Sequence, residues 1–311
     1  MLRLLIVVLL GFCSAASQAA SCSMEAVLLG TGYPVPFPER AGPSTAIIVD
    51  GKYFVVDAGR AVTMRLSALH PRMPHVQAVF LTHLHSDHTT GLPDLFDTSW
   101  LLERRTVPFE LYGPTGTREL ADGMVQFLAA DIHIRRDLSE FQPAAGATVN
   151  THIVQEGTIY ERDGLKITAF AVDHRPVVPA FGYRFDCGGK SVVISGDTAP
   201  SENLVRFARG ADVLIHEAYL PGIFSNRPNA GVTPANRQTN GSVEPARVSE
   251  ILSRYHTNAE QAGQIAARAN VKHLVLTHVI PPNRSEEMLR LAARAFKGKV
   301  TVGTDLLHIV P

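Results

Sequence analysis

Cysteine is scarce, with three in 311 residues, at Cys13, Cys22 and Cys187. That excludes a disulfide-built scaffold, and it excludes the cysteine-rich zinc sites that hold small domains together. Net charge is lacking too, since Lys+Arg and Asp+Glu stand at 29 each. No basic surplus is left for the many phosphate contacts of a long nucleic acid, so none is expected as a partner. There is also no apolar run of comfortable membrane-spanning length. What is present, 45% hydrophobic and 19% charged residues, is ordinary for a soluble globular chain with a sizeable core.

The longest apolar run, Leu4 to Leu10, follows Arg3 and leads into small residues from Ser14 to Ala20. This is a signal-peptide pattern, with Ser17-Gln18-Ala19 as the small-x-small cleavage site before Ala20. The expected division is therefore a leader over residues 1–20 and one domain over 21–311, placed in the periplasm or secreted. A retained anchor is the alternative, and Ala19-Ala20-Ser21-Cys22 is a weak lipoprotein box because it lacks the leading leucine. Once the leader is gone Cys22 and Cys187 remain, either as one disulfide or as two thiols.

The centre of the chain is Thr82-His83-Leu84-His85-Ser86-Asp87-His88, directly after the apolar strand Ala78-Val79-Phe80-Leu81. On a strand continuation His83 and His85 share a face, and a turn through Ser86 brings Asp87 and His88 toward a second position. Histidine nitrogen and carboxylate oxygen are zinc ligands, and with no cysteine nearby a catalytic site is favoured over a structural one.

Three more strands end in the same residue types. Lys166 to Val172 delivers His174, Ser191 to Ser195 delivers Asp197, and His273 to Thr277 delivers His278. Loops leaving the carboxyl ends of strands commonly build the site in layered α/β proteins, so these residues converge although they are far apart in the chain. A simple division puts His83, His85 and His174 on one metal, Asp87, His88 and His278 on the other, and Asp197 between them. Such a pair, roughly 3.5–4 Å apart, leaves room for a shared hydroxide as nucleophile. The bland reading of Asp197 is a helix N-cap after Pro200. Of the 13 histidines, His216 and His256 form a second tier, and His70, His75, His133, His152, His273 and His308 read as surface or core residues.

Elsewhere, Asp50-Gly51 between two β-rich runs signals a hairpin, Thr115 to Ala130 a helix, and Arg135 to Gly164 a mixture of short strands and loop. Pro221 to Pro245 is long enough to be a lid. Thr257, with Glu260 three residues on, reads as a capping box, and Leu289, Leu291 and Phe296 as the apolar stripe of the last helix.

His-x-His-x-Asp-His at His83 to His88 resembles the shared motif of the metallo-β-lactamase-fold hydrolases. Leu29-Gly30-Thr31-Gly32, Asp57-Ala58-Gly59-Arg60, Ser195-Gly196-Asp197-Thr198, Ile215-His216-Glu217-Ala218, Tyr255-His256-Thr257 and Leu276-Thr277-His278 are similar to the ribonuclease Z and arylsulfatase branch, nearest its secreted arylsulfatase-like group. The resemblance implies a four-layer αββα sandwich and the same seven ligands. It also implies that Asp87, His256 and Glu217 act in catalysis: His256 protonates the leaving group and Glu217 orients it, where the bland reading of Glu217 is a structural ion pair.

Many ribonuclease Z enzymes insert a long tRNA-clamping arm between the counterparts of His174 and Asp197. Here that interval holds a hairpin, and export and neutral charge point the same way. The expectation is thus an exported binuclear zinc hydrolase, with manganese or iron as substitute ions, cleaving small anionic phosphodiesters or aryl sulfate esters, with no stable membrane span after leader removal and able to form a homodimer. A β-lactamase or lactonase of the same fold, or a nuclease of the tRNA 3′-processing type, is the alternative. Arg175 beside His174 is a candidate partner for the anionic group of the substrate.

Overall fold

The computed structural model describes residues 22–70, 72–222, 250 and 252–311. The expected leader over 1–20 and most of the expected lid, Pro221 to Pro245, lie outside these residues.

Alternation along the strands divides the apolar residues between cores. In β4 (Val76–Phe80) Ala78 and Phe80 point to one side and Val76 and Val79 to the other. The first pair joins Phe54, Tyr183, Phe185 and Ile194 in a core between two sheets, and the second joins Leu95, Phe96 and Trp100 beneath helices. A third core lies behind the other sheet, where Leu214 and Leu274 meet Ala262, Ile265, Met288 and Ala292. Three cores separate four layers, the αββα sandwich that the resemblance implies.

The first sheet contains β1 (Met24–Gly30), β2 (Ser44–Val49), β3 (Lys52–Val56), β4, β5 (Phe109–Gly113), β6 (Val149–Ile153) and β14 (Leu307–Ile309), in the order β14-β1-β2-β3-β4-β5-β6. The second contains β7 (Gly157–Arg162), β8 (Leu165–Ala171), β9 (Phe181–Cys187), β10 (Lys190–Ile194), β11 (Val213–Tyr219), β12 (His273–Ile280) and β13 (Lys299–Val302), in the order β13-β12-β11-β10-β9-β8-β7. Helices α1 (Val62–Ser67), α3 (Leu92–Glu103), α4 (Thr117–Phe127) and α5 (Ala129–His133) belong to the first half, with α2 (Ser86–Thr89) between α1 and α3. Helices α6 (Glu202–Phe207), α7 (Ala259–Ala269) and α8 (Ser285–Ala295) belong to the second.

Parallel pairing fixes where the site sits. β3, β4, β5 and β6 run parallel in one sheet, and β10, β11, β12 and β13 in the other. The backbone hydrogen bond from the Phe181 N–H to the Thr82 carbonyl, at 2.9 Å, brings the carboxyl end of β4 to the start of β9, and hence to the end of β10. All strand ends carrying candidate ligands therefore share one rim. Cys22 and Cys187 meet at the opposite rim in a disulfide with Cα atoms 5.6 Å apart, tying the segment before β1 to the end of β9 in the other sheet.

Some local expectations shift. The hairpin turns at Asp50-Gly51, both with positive φ, as expected. The 135–164 interval also contains a π-helical turn (Ile134–Ser139) and a 3-10 turn (Ala144–Ala147) ahead of its strands. The capping box of α7 is Asn258 with Gln261, one residue beyond the expected Thr257 and Glu260. In α8 Leu289 is exposed, and Met288 and Ala292 carry the buried face with Phe296. Among the described residues no helix is long and apolar enough to cross a membrane.

Candidate metal centre

The expected strand ending before His278 is a strand interior, and so is the position of His216 and Glu217. β11 continues through His216 and Glu217 to Tyr219, and β12 continues through His278 to Ile280. His278 is an extra residue in its strand, because Glu217 pairs with Thr277 and Ala218 already pairs with Val279. Its φ of 47° marks the bulge, which re-aims the side chain toward the rim. His83 and His85 lie on extended chain after β4, whereas Asp87 and His88 lie on α2, a single helical turn.

The side chains converge in two groups joined by one carboxylate. His83, His85, His174 and Asp197 each offer an atom within 4.8 Å of the others, and so do Asp87, His88 and His278. His83 Nε2 lies 3.0 Å from His85 Nδ1, which lies 3.3 Å from His174 Nε2. Asp197 Oδ2 is 3.9 Å from His83 Nε2 and 3.4 Å from the Nε2 atoms of both His88 and His278. Asp87 Oδ2 is 3.6 Å from His88 Nε2 and 3.4 Å from His278 Nε2.

The spacings to the carboxylates, 3.4 to 3.9 Å, are long for charge-assisted hydrogen bonds and fit ligands sharing an ion. Tetrahedral ligands held at about 2.0–2.1 Å from zinc are about 3.3 Å apart, and the separations here, from 3.0 to 3.9 Å, bracket that value. Nε2 of His88 is buried with no hydrogen-bond partner, although two carboxylates stand at those longer distances. A buried orphan of this kind has a cost unless a ligand satisfies it. Burial, reinforced by His88, holds the His83 pKa well below its ordinary value, which keeps its nitrogen lone pair free for a metal. Burial would raise the Asp197 carboxyl, but His278, His88 and His83 hold it well below the usual range, as an anion.

A carboxylate that the sequence reading passed over supports this arrangement. Asp57, at the end of β3, accepts bonds from the Thr82 backbone N–H (2.8 Å) and hydroxyl and from His88 Nδ1 (2.8 Å). It thereby fixes which His88 nitrogen is left to face the cluster. Its signal was available, since Val55-Val56-Asp57 is one more apolar strand ending in a ligand-type residue.

Glu217 and His256 sit against Asp197. His256 Nδ1 is 2.9 Å from both Glu217 oxygens and 3.9 Å from Asp197 Oδ2. Burial opposes the charged imidazole, but Glu217 and then Asp197 outweigh it and raise the His256 pKa to about 9. Among the described residues His256, Asp197 and His278 form a third close set.

The remaining candidates fall away from the cluster. His216 is buried with Nδ1 on the Glu217 carbonyl and burial lowering its pKa, and it joins none of the groups. His75, His133, His152 and His308 pair with Glu103, Asp137, Glu110 and Glu25, and His273 with Thr301. Arg175 is exposed and engaged by Asp173 at 2.6 and 2.8 Å, so its own neighbour occupies the charge expected to meet substrate.

Comparison with known proteins bears on the family and the fold. A family model described as a beta-lactamase superfamily domain matches residues 52–279. The ribonuclease Z of Mycobacterium marinum is 37% identical over 295 residues, covering 92% of this chain and 98% of that protein. Among solved structures, a metallo-β-lactamase-fold protein from Bacillus subtilis has a TM-score of 0.68 at 20% identity, covering 93% of this chain and 100% of that one. The short form of human tRNase Z has a TM-score of 0.63 at 24% identity, covering 92% and 99%. The expectation that no long nucleic acid is involved is corrected by the mycobacterial relative, which is by name a ribonuclease. Charge balance misled because it counts the whole chain, whereas phosphate contacts depend on local placement of charge.

Proposed function

The chain belongs to the metallo-β-lactamase superfamily, among the relatives of ribonuclease Z, and from that premise we propose that it hydrolyses phosphodiester bonds in RNA, with tRNA 3′ ends as the first substrate class to test. The observation that carries the reading is the position of Asp197. It reaches both histidine groups and stands 3.9 Å from a histidine already bonded to a carboxylate. A metal-storage site needs no such proton donor.

In this reading His83, His85 and His174 would hold one ion and Asp87, His88 and His278 a second, with Asp197 within reach of both groups. Two zinc ions, or manganese or iron in their place, would supply Lewis acidity at the phosphoryl oxygens and a water acidic enough to attack at neutral pH. Glu217 accepts the Nδ1 proton of His256, which leaves Nε2–H to be delivered to the departing oxygen. That oxygen leaves as a hydroxyl instead of an alkoxide, so the proton transfer lowers the barrier where the leaving group is poor.

The compartment is a separate part of the proposal: a periplasmic or secreted setting, where the bond class is an RNA 3′ end met outside the cytoplasm and the tRNA precursor serves as the probe of that bond class. The Cys22–Cys187 bond supports it, since disulfides persist in oxidising compartments.

The test is a panel of zinc-loaded protein on a 3′-extended tRNA precursor, an aryl phosphodiester, an aryl sulfate and a chromogenic cephalosporin, with His256→Ala alongside. The expected result is cleavage of the precursor, lost in the variant. Cephalosporin turnover that survives the substitution, or sulfate turnover without RNA cleavage, would overturn the proposal.

A further inference from the structure

Three consecutive residues, Tyr255, His256 and Thr257, each bind a different part of the rim. The Tyr255 carbonyl meets His174 Nδ1 at 3.0 Å, His256 Nδ1 meets Glu217 at 2.9 Å, and the Thr257 hydroxyl donates to the Thr198 carbonyl at 2.6 Å. Thr257 is fully buried, and its hydroxyl does not cap α7, because Asn258 does so. Thr198 in turn donates its backbone N–H to Glu217 Oε1 at 2.7 Å. The contacts close a ring: Thr257 to Thr198, Thr198 to Glu217, Glu217 to His256, and His256 back to Thr257 through the chain.

We propose that Thr257 is the positioning residue for the His256 proton donor. An imidazole held by one carboxylate alone can swing about that contact. The neighbouring hydroxyl, fastened to the residue that also fastens the carboxylate, removes this freedom and holds ring and acceptor in one frame. Because Thr198 directly follows Asp197, the frame is also registered to the carboxylate between the two histidine groups. The backbone adds a second anchor, where the Tyr219 N–H donates to the Thr257 carbonyl at 3.2 Å. Thr257 touches neither substrate nor reacting atoms and acts through His256. The inference rests on the reading of His256 as the proton donor.

The experiment compares Thr257→Val, which keeps shape and loses the hydroxyl, with Thr257→Ser, which keeps it; Thr257→Ala replaces the valine variant should that one not fold. The first readout is the solvent-exchange rate of the His256 Nδ1 proton by NMR in metal-loaded protein, assigned with His256→Ala. Exchange is expected to rise at least tenfold in Thr257→Val and to stay near wild type in Thr257→Ser. The second is a leaving-group comparison: an alkyl phosphodiester should slow on the order of tenfold more than a nitrophenyl one, which departs without a proton. Added to His256→Ala, Thr257→Val should cost nothing further on the alkyl ester. Equal slowing of both esters, unchanged Nδ1 exchange, or a serine variant as impaired as valine would overturn the proposal. Altered exchange in a protein that cleaves no phosphodiester would instead sink the proposed function and leave the positioning intact.

Discussion

Asp57 Oδ2 lies 2.8 Å from Nδ1 of His88, and the other oxygen of the same carboxylate takes the backbone N–H of Thr82 at 2.8 Å. One buried side chain thus orients a candidate ligand and pins the end of the strand that delivers two others. Asp57→Ala is expected to weaken metal binding by roughly 10–100-fold, measured by competition with a chromophoric chelator. It should also destabilise the fold by about 1–3 kcal/mol for each donor left unpaired, read from denaturant unfolding. Metal affinity within twofold of wild type would refute the orienting role.

The His256 pKa, raised to about 9, sets a pH dependence. A proton donor works only while protonated, so kcat on a poor leaving group should hold below about pH 9 and fall above it. Glu217→Gln removes the charge that raises the pKa while burial continues to lower it, so the falling limb should move to lower pH. The pH-rate profiles of the two proteins check this. A limb that stays in place would mean that a different group controls it.

The Cys22–Cys187 bond spans 165 residues of sequence. Closing a loop of that length in the unfolded chain stabilises the fold by about 2–5 kcal/mol. Reduction, or Cys22→Ser, should lower Tm by roughly 5–15 °C. Because the bond lies at the rim opposite the histidine cluster, kcat/KM of the folded protein at 25 °C should not change. Melting curves with and without reductant, alongside an activity assay, test both halves.

Gly59 seats the α2 turn. A Cβ at this position would stand 2.5 Å from the Asp87 carbonyl oxygen and 2.5 Å from the backbone of Gly42. Gly59→Ala should displace Asp87 and His88, costing about 1–3 kcal/mol of stability and leaving the protein short of metal when its content is measured. Gly123→Ala, within α4, where a Cβ meets nothing within 4 Å and φ is not positive, serves as a control for metal content.

Much of the site was legible because ligand-type side chains follow apolar strands at four separated places, a pattern that few other arrangements explain. The positions of His278 and Glu217 were harder, since a bulge inside paired strands leaves no mark in hydrophobicity. Asp57 stood at a strand end of the same kind, but a lone aspartate leading into Ala58-Gly59 reads equally well as a turn. Thr257 and Asn258 are adjacent capping residues, and only the tertiary contact with Thr198 decides which of them caps. The exposed Leu289 and buried Met288 differ by one position on a helix whose face is set by Gly263 and α7 packed against Ala292. Substrate class was the least legible, because it depends on surface shape and local charge.

The most direct test of the account is cleavage of a 3′-extended tRNA precursor by wild type and His256→Ala, each assayed with oxygen or with sulfur as the leaving atom at the scissile bond. A thiolate departs without a proton, so His256→Ala should be strongly impaired on the oxygen substrate and close to wild type on the sulfur one. Equal impairment on both, or no cleavage by the wild type, would contradict the claim that this site hydrolyses RNA with His256 as proton donor.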